Sequence, residues 1–327
     1  MLIKSPENIK YFTDFNTDFG YILIKKDDDI FFTDARYFES ASKISKINTQ
    51  LFKGLESLKD FLEDTDEIFI ETDKMTVEEF QNLQKIFPDK KISKQNNISV
   101  LIKNLRRVKN NEEKNNIFTA QKIAERALEK TLNEIKVGIT EKELAAKLEY
   151  NMSMLGSEKP SFETIVLFNQ NTSVPHGVPS DNRLLENDII LIDFGAVYNG
   201  YHSDMTRTIL WGDKTDKVKK MYELVLKVQQ KCIEKAKVGV KVSDLYDLAV
   251  AEFKDKAIYF THSLGHGVGL EIHESPNLSN KSNQVLEVGD IITIEPGLYF
   301  ENEFGIRIED MIYIGKNESE NLTNFPK

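Results

Sequence analysis

Two aspartates interrupt a largely apolar stretch, "LIDFGAVYNGYHSDMTRTIL", which spans residues 191–210. The Asn199-Gly200 pair predicts a two-residue hairpin turn, because a type I′ turn needs positive φ at both central positions. In that register Asp193 and Asp204 point to the same side of the sheet, about 7–8 Å apart at the backbone. Two carboxylates that converge in this way repel each other unless a cation lies between them. The hairpin therefore predicts a metal site.

Gly195 lies on the same face as Asp193 and is expected to leave the space between the two aspartates empty. The alternative is a solvent-facing sheet surface that carries acids and holds nothing. The run "DIILID" is apolar on both faces up to Asp193, and this disfavours exposure. We therefore predict that the two carboxylates are buried around one site.

All five histidines fall between residues 176 and 273, and three of them occur in "HSLGHGVGLEIHE" (262–274). The glycines in this stretch disfavour a helix. On an extended chain His262 and His266 still point to one face, because they are four residues apart. A lone histidine is more often structural, but several beside glycines indicate a site that a ligand can approach closely.

A second pair of acids, Glu295 and Glu309, occurs in "TIEPGLYFENEFGIRIEDMIYI". Two strands joined near Asn302 would place these glutamates opposite one another. The sequence predicts this pairing less strongly than the pairing around Asn199-Gly200, because the connection is long and contains Pro296. Arg307 would share a face with Glu309 and could orient a carboxylate through a charged hydrogen bond.

Taken together, these residues have the chemistry of a dinuclear metal site. Four carboxylates and one imidazole carry too much negative charge for one divalent ion, whereas two ions about 3.5–4 Å apart balance it. Oxygen-rich ligation with a single nitrogen suits Mn²⁺, Co²⁺, Fe²⁺ or Zn²⁺ and differs from a closed structural zinc site. The predicted reaction class is metal-assisted hydrolysis. The five predicted metal ligands are Asp193, Asp204, His266, Glu295 and Glu309.

The composition argues against several other classes of protein. The chain has 327 residues, of which 40% are hydrophobic and 29% charged, and its net charge of −10 disfavours a nucleic-acid partner. No apolar run reaches the length of a membrane span, so we expect no membrane association. The N-terminus lacks a signal-peptide pattern, and the single cysteine, Cys232, allows no internal disulfide. A cytoplasmic location is therefore expected.

The length of the chain predicts two domains, 1–105 and 106–327. In the first, "GYILIKKDDDIFFTDARYF" predicts a hairpin with a charged turn at Lys25–Asp29. "DEIFIET" and "NISVLIKNL" predict further short strands, with a helix in "TVEEFQNLQKIF" between them. The polar stretch 105–116 begins a long helical pattern and marks the predicted boundary.

The second domain contains an internal sequence repeat. "KVGITEKELAAKLE" starts at Lys136 and "KVGVKVSDLYDLAV" at Lys237, and each follows a helical pattern that stops at a glycine. "NDIILIDFG" aligns in the same way with "GDIITIEPG", so that Asp193 matches Glu295. We therefore predict two related halves, each built as helix, helix and antiparallel strands, with an acid at the same place in both.

Five motifs occur in order over about residues 105–320: "VPHGVP", "LIDFGAVYNGYHSDMTRT", "HSLGHGVGLEIHE", "IEPGLY" and "GIRIEDM". The catalytic half thereby resembles the metallopeptidases of the pita-bread fold, namely Xaa-Pro aminopeptidases, Xaa-Pro dipeptidases (prolidases) and, more distantly, methionine aminopeptidases. Residues 11–39 resemble the creatinase-like N-terminal domain of the Xaa-Pro enzymes. The resemblance implies an α+β protein, in which a creatinase-like N-terminal α/β domain precedes a pita-bread catalytic domain with pseudo-twofold repeated halves.

The resemblance also implies roles for individual residues. Asp204 and Glu309 match bridging metal ligands, Asp193 and Glu295 match terminal ones, and His266 matches the single nitrogen ligand. Catalytic roles are implied for Glu295, His262 and His273, of which Glu295 helps to activate the attacking hydroxide. The residues implied in substrate binding are His176, His262, His273 and Arg307. His202 matches no functional position and is expected to be a turn residue.

The implied function is metal-dependent hydrolysis of the Xaa-Pro bond in a peptide with proline at the second position. Two divalent ions are expected, manganese first, with cobalt, zinc or iron as alternatives. We expect an Xaa-Pro aminopeptidase, because no obvious basic clamp for a free prolyl carboxylate is present, with an Xaa-Pro dipeptidase as the alternative. An inactive binding protein of the same fold and a metal-free creatinase-like hydrolase are disfavoured by the complete ligand set. A homodimer is implied by the resemblance alone.

Overall fold

The computed structural model describes residues 1–26, 28–95 and 97–327. The polypeptide forms two compact units, Met1–Arg106 and Arg107–Lys327. Across these described ranges, no helix is both long enough and apolar enough to cross a membrane.

The first unit combines short strands with helices. Its strands are β1 (Leu2–Ile3), β2 (Tyr21–Ile24), β3 (Asp29–Thr33), β4 (Asn48–Leu51), β5 (Glu67–Phe69) and β6 (Lys91–Ser93). Its helices are α1 (Pro6–Thr13), α2 (Phe38–Ile44), a 3-10 helix (Leu55–Phe61), α3 (Val77–Ile86) and α4 (Asn97–Arg107). Strands β1 to β4 form one sheet in chain order, antiparallel except for the parallel β3–β4 pair, and β5 pairs with β6 in parallel.

Most of the elements predicted for this unit are present. The predicted hairpin is β2 and β3, in which Ile22 lies opposite Phe31 and both side chains are buried. Asp27, which falls in the predicted turn, lies outside the described residues. The predicted helix is α3, which begins with a capping box between Thr76 and Glu79.

The strand predicted at residues 97–105 is wrong, because these residues belong to helix α4. Ile98 and Ile102 are four residues apart and both are buried, whereas Val100 and Leu101 between them are largely exposed. This is the spacing of a helix with one buried face. A short apolar run does not by itself distinguish the two structures.

The second unit contains two sets of helices and strands. The first set is α5 (Asn111–Leu132), α6 (Glu141–Met154), β7 (Ile165–Phe168), a 3-10 helix (Asn169–Ser173), β8 (Ile189–Phe194), β9 (Val197–Tyr198), β10 (Tyr201–His202) and β11 (Met205–Leu210). The second set is α7 (Asp216–Lys235), α8 (Val242–Phe253), a 3-10 helix (Lys254–Tyr259), β12 (His266–Gly267), β13 (Glu274–Asn277), β14 (Ile291–Ile294), β15 (Gly297–Phe300), β16 (Phe304–Arg307), β17 (Asp310–Ile314) and β18 (Ser319–Asn321).

Each half is organised around its own antiparallel sheet. In the first half the strand order is β11-β8-β7, with the short β9–β10 ribbon extending the hairpin. In the second half the order is β13-β12-β14-β17-β18, and β15 pairs with β16. Helices α5 and α6 pack Leu128 and Leu148 against Ile190 of β8, and α7 and α8 pack Val228 and Leu245 against the second sheet.

Matching hydrogen bonds occur in the two halves. Gly138 and Gly239, both with positive φ, donate their backbone N–H groups to the carbonyl oxygens of Leu184 and Leu286, at 2.8 Å in each case. Asp188 accepts a backbone hydrogen bond from Leu185 at 2.8 Å, as Asp290 does from Glu287 at 2.8 Å. The predicted internal repeat is therefore confirmed at the level of backbone geometry. The paired acids Asp193 and Glu295 come at corresponding places in these halves.

Candidate metal centre

The hairpin of the first half brings its two aspartates to one face. Asp193 lies opposite Thr206 in the β8–β11 pair, and the turn residues Asn199 and Gly200 have φ values of 49° and 78°. The predicted type I′ turn and register are thus confirmed. Burial, and then the charge of Asp193, raise the pKa of Asp204 well above its usual range.

The explanation offered for Gly195 is wrong. A Cβ atom built at this position would lie 1.8 Å from the carbonyl oxygen of Ser203 and 2.8 Å from Cβ of Ser161. The space beside Gly195 is filled by backbone and is not an empty gap between the aspartates. Glycine is required there so that the two chains of the hairpin can approach closely.

The hairpin of the second half pairs the two glutamates. Ile294 lies opposite Asp310, and Gly297 lies opposite Arg307. Glu295 and Glu309 lie between these pairs in the same register, as predicted for a connection centred near residue 302.

Thr206 joins this hairpin to that of the first half. Its Oγ1 donates a hydrogen bond to Oε2 of Glu309 at 2.7 Å, and its carbonyl oxygen accepts from the backbone N–H of Glu309 at 3.2 Å. The side chain and backbone of Glu309 in the second half are therefore fixed by a strand of the first half.

His266 directs one ring nitrogen at this cluster of acids. Its Nδ1 donates to the carbonyl oxygen of Gly267 at 3.0 Å, which leaves Nε2 as the nitrogen that faces the carboxylates. Nε2 lies 3.5 Å from Oδ2 of Asp204 and 3.6 Å from Oε1 of Glu295. Asp204, His266 and Glu309 each offer one ligand atom, and these atoms lie within 4.8 Å of one another. A backbone bond to the other nitrogen is the usual way to orient a metal-binding histidine.

The electrostatics of the cluster fit a divalent cation. Oδ1 of Asp193, Oδ1 of Asp204 and Oε1 of Glu309 are buried and have no hydrogen-bond partner among the residues that the structure describes. Burial, and then the charges of Asp204 and Glu295, raise the pKa of Glu309 well above its usual range. Burial also raises the pKa of Glu295, although His266 and Arg307 oppose this effect. Unpartnered buried carboxylate oxygens are costly, and a cation coordinated by them removes that cost.

Arg307 organises the side of the cluster that faces Asp193. Its Nη2 donates to Oδ2 of Asp193 at 2.5 Å, its Nε to Oγ1 of Thr206 at 3.1 Å, and its Nη1 to the hydroxyl oxygen of Tyr299 at 2.7 Å. The planar guanidinium can make these three contacts at once because its donors are arranged in a fixed fork. The acid that Arg307 orients is therefore Asp193, in the opposite half.

Tyr299 and Thr206 were not identified as site residues from the sequence. The hairpin register contains a signal for Tyr299, because Gly297 pairs with Arg307 and Tyr299 follows two residues later on the same face. Burial raises the pKa of Tyr299 to about 12, so its hydroxyl remains protonated at neutral pH. This hydroxyl group links Arg307 to His262.

His262 is held between two hydrogen-bond partners. Its Nδ1 donates to the carbonyl oxygen of Ser263 at 2.7 Å, and its Nε2 lies 2.9 Å from the hydroxyl oxygen of Tyr299. Burial, assisted by the charge of Arg307, lowers the pKa of His262 to about 4, so the ring is neutral near pH 7. A neutral ring that donates from Nδ1 can only accept at Nε2, and Tyr299 is then the donor.

The other three histidines lie in different environments. His273 is exposed by surface area, and its ring packs edge-on against His266 with centroids 4.4 Å apart. Desolvation of the ring by the surrounding protein, and then the charge of His266, lower the pKa of His273. His176 is exposed, and its charge contributes to the lowered pKa values of both His262 and His273. His202 was expected in a turn, which is wrong: it lies buried in β10, with Nδ1 2.8 Å from Oγ of Ser161.

Two paired halves around a cluster of buried carboxylates and one imidazole define a metal-dependent hydrolase. A family model described as metallopeptidase family M24 matches residues 115–316, and the creatinase/prolidase N-terminal domain matches residues 1–108. The chain therefore belongs to metallopeptidase family M24. The resemblance seen in the sequence and the predicted fold class, a creatinase-like domain followed by a pita-bread domain, are confirmed.

Similar proteins of known name cover almost the whole chain. The Xaa-Pro dipeptidase of Pyrococcus furiosus is 39% identical over 99% of this chain and 92% of its own length. The solved prolidase from Pyrococcus horikoshii has a TM-score of 0.95 and 38% identity, with 100% of this chain and 94% of that chain covered. The solved X-Pro aminopeptidase from Thermotoga maritima has a TM-score of 0.93 and 34% identity, with 99% and 96% covered.

Proposed function

We propose that this protein is an Xaa-Pro dipeptidase that uses two divalent metal ions. The observation that carries the proposal is the convergence of Asp204, His266 and Glu309, with three unpartnered buried carboxylate oxygens in the surrounding cluster. It occurs in a chain 39% identical to an Xaa-Pro dipeptidase over nearly its full length. The Xaa-Pro bond is a tertiary amide, so its nitrogen carries no hydrogen.

The dipeptidase is preferred to the aminopeptidase that the sequence alone suggested. Relatives named Xaa-Pro dipeptidase from two Pyrococcus species are 39% and 40% identical to this chain. The aminopeptidase is supported at the level of the family and by the solved Thermotoga maritima structure, at 34% identity. It therefore remains the second candidate function, and substrate length is the property that separates the two.

In the proposed mechanism Asp193, Asp204, His266, Glu295 and Glu309 would hold the metal ions. Bound divalent ions supply positive charge to polarise the peptide carbonyl and to lower the pKa of the attacking water. Manganese is the proposed metal, because the ligand set is rich in carboxylate oxygen and contains one imidazole. The number of ions follows from charge balance, since four carboxylates converge on one site.

Protein side chains then orient the substrate and move protons. Glu295 is the proposed base that takes the proton from the attacking water and passes it to the prolyl nitrogen. Its Oε1 lies 3.4 Å from Oγ1 of Thr293 and Oε2 lies 4.0 Å from Nδ1 of His262, which keeps the carboxylate at the edge of the cluster. Arg307 fixes Asp193 and Tyr299, and the exposed rings of His176 and His273 are the proposed contacts for the peptide.

His262 is the proposed donor to the oxyanion that forms on the peptide carbonyl during attack, and this role has a structural condition. With Nδ1 bonded to Ser263 and Nε2 accepting from Tyr299, the neutral ring has no N–H group left for substrate. His262 can therefore donate to an oxyanion only after the contact with Tyr299 is exchanged for one with the peptide. The same exchange releases the single hydroxyl proton of Tyr299, which until then is donated to His262, while Arg307 polarises the hydroxyl group by donating to its oxygen.

The experiment is a comparison of Gly-Pro with Gly-Pro-Ala on protein stripped of metal by a chelator and then supplied with Mn²⁺. We expect Mn²⁺-dependent hydrolysis of Gly-Pro and much slower hydrolysis of the tripeptide. Faster hydrolysis of the tripeptide would identify an aminopeptidase. Metal binding without hydrolysis of either peptide would indicate an inactive binding protein. Homodimer formation and a cytoplasmic location stay predictions, and gel filtration with light scattering tests the first.

A further inference from the structure

One buried carboxylate holds both ends of the segment that carries His176. Glu141 is the first residue of α6, and its relative exposure is 0%. Its Oε1 accepts hydrogen bonds from the backbone N–H of Phe168 at 2.7 Å and from Nδ2 of Asn171 at 2.9 Å. Its Oε2 accepts from the backbone N–H and the hydroxyl of Ser180, at 2.9 Å and 2.6 Å. Residues 169–182, hereafter the His176 loop, are thus fixed where they begin and where they end.

The His176 loop reaches the Arg307 side of the metal centre. Oγ1 of Thr172 accepts from the backbone N–H of Gly305 at 2.7 Å, which attaches the loop to β16. The carbonyl oxygen of Pro175, next to His176, accepts from Nη1 of Arg307 at 3.3 Å. A displacement of the loop would therefore move His176 relative to the site, while the metal ligands themselves lie on other segments.

The internal repeat shows that the fold does not need a carboxylate at this place. The corresponding residue of α8 is Val242, whose backbone N–H donates to Gln284 at 3.0 Å, as that of Glu141 donates to Asn182 at 3.1 Å. The same backbone hydrogen bond is made at both positions. Of the two residues, Glu141 carries a buried carboxylate and Val242 does not. Burying a carboxylate requires several hydrogen-bond donors, and here the His176 loop supplies them.

We propose that Glu141 is a positioning residue for substrate binding, which holds the His176 loop so that His176 meets the bound peptide. The proposal rests on the proposed function for the identity of that peptide. Glu141 acts through the loop and does not touch the substrate or the metal ligands. Its loss therefore weakens substrate binding and loosens the loop, and leaves metal binding intact.

The test compares Glu141→Gln with Glu143→Gln, a matched change in the same first turn of α6. Glu143 is exposed, and its carboxylate accepts from the backbone nitrogen of Thr140 in the helix cap at 2.9 Å; within the described ranges it makes no hydrogen bond to the loop. A glutamine at 141 keeps its oxygen for Phe168 and Asn171 and places its amide nitrogen beside Ser180, whose hydroxyl can turn to accept, so the bond from the Ser180 backbone N–H is lost. We expect KM for Gly-Pro to rise about tenfold, the size of one such bond, with kcat changed by less than about twofold.

Two readouts separate positioning from a general loss of stability. Hydrogen exchange of peptides covering 169–182 should accelerate in Glu141→Gln and remain at the wild-type rate in Glu143→Gln. The dissociation constant for Mn²⁺, measured by calorimetry on the stripped protein, should be unchanged in both. An unchanged KM and exchange rate in Glu141→Gln would overturn the proposal, as would an equal rise in KM for Glu143→Gln.

A milder variant keeps the proposal testable if Glu141→Gln does not fold. Ser180→Ala removes one donor to Glu141 and leaves the carboxylate with its other partners; we expect a rise of about threefold in KM and faster exchange of the loop. Wild-type values in this variant would overturn the proposal. If the wild-type protein hydrolyses no Xaa-Pro peptide, the proposed function fails, whereas the exchange comparison still decides whether Glu141 holds the loop.

Discussion

Arg307 and Asp193 come from different halves of the catalytic unit, and Nη2 of the arginine lies 2.5 Å from Oδ2 of the aspartate. The two side chains are only 3% and 13% exposed. A buried carboxylate that is oriented by a charged donor keeps its other oxygen in a defined direction, and Oδ1 of Asp193 has no partner of its own. The contact therefore orients a proposed metal ligand from outside its own hairpin.

Replacing Arg307 with lysine should reduce catalysis strongly. Lysine offers one ammonium group in place of the fork that reaches Asp193, Thr206 and Tyr299, so kcat/KM should fall by about a hundredfold, equal to about 2.7 kcal/mol. Steady-state kinetics with saturating Mn²⁺ measure this. Arg183→Lys is the control, because Arg183 is exposed and its guanidinium donates to the carbonyl oxygen of Gly138, away from the metal centre. Full activity in Arg307→Lys would show that the three hydrogen bonds of the guanidinium group are not required.

Replacing Asp204 with asparagine should have opposite effects with and without metal. Burial and the charge of Asp193 raise the pKa of Asp204, so the metal-free protein gains stability when this carboxylate is removed. We expect the metal-free variant to unfold about 2–4 °C above the metal-free wild type, the shift that about 1 kcal/mol produces. Added Mn²⁺ should stabilise the wild type and have little effect on the variant.

Scanning calorimetry in chelator and in Mn²⁺ measures both effects of the Asp204→Asn change. Asp181→Asn is the control, because the side chain of Asp181 is 85% exposed. A lower unfolding temperature of Asp204→Asn in chelator, combined with normal stabilisation by Mn²⁺, would contradict the placement of Asp204 at the metal.

Tyr299→Phe should slow turnover without weakening metal binding. The change removes the hydroxyl group that joins Arg307 to His262 and leaves the predicted ligands in place. A loss of about 10–100-fold in kcat is expected, the range typical of one positioned proton donor or hydrogen bond. Tyr150→Phe, at a position 64% exposed, controls for the loss of a hydroxyl group. A normal kcat for Tyr299→Phe would exclude a role for this link.

Cys232 should resist thiol reagents in the folded protein. Its side chain is fully buried, and burial, assisted by the charge of Glu252, raises the pKa of the thiol to about 12. The reactive thiolate is therefore scarce at pH 8, and it becomes available only when the chain unfolds. Labelling with a chromogenic disulfide should be slow in buffer and complete in guanidinium chloride. Rapid labelling of the native protein would contradict this burial.

The sequence was most informative where the residues of a turn determine which strand residues lie opposite one another. Asn199-Gly200 determines which residues pair in the first hairpin, and the contact between Asp193 and Thr206 follows from it. The pairing of Glu295 with Glu309 depends in the same way on a turn near residue 302. These relationships are local along the chain, so the side-chain period of two in a strand is enough to predict them.

Contacts between segments far apart in the chain could not be predicted in this way. The bond from Thr206 to Glu309 and the loop contacts of Glu141 depend on how separate hairpins and helices pack. Helix α4 was misassigned because its short apolar run fits either period. A glycine is needed at position 195 because the backbone of Ser203 lies too close for a Cβ atom, and the hairpin pattern in the sequence does not indicate this contact.

The order of the clustered residues along the chain has a consequence for biosynthesis. Asp204 is synthesised before His266 and Glu309, which follow it by 62 and 105 residues. A ribosome that has released only the first half of the catalytic unit therefore presents Asp193 and Asp204 without His266, Glu295 and Glu309. The cluster forms only after Glu309 has been synthesised, so a product truncated before this residue lacks the assembled centre.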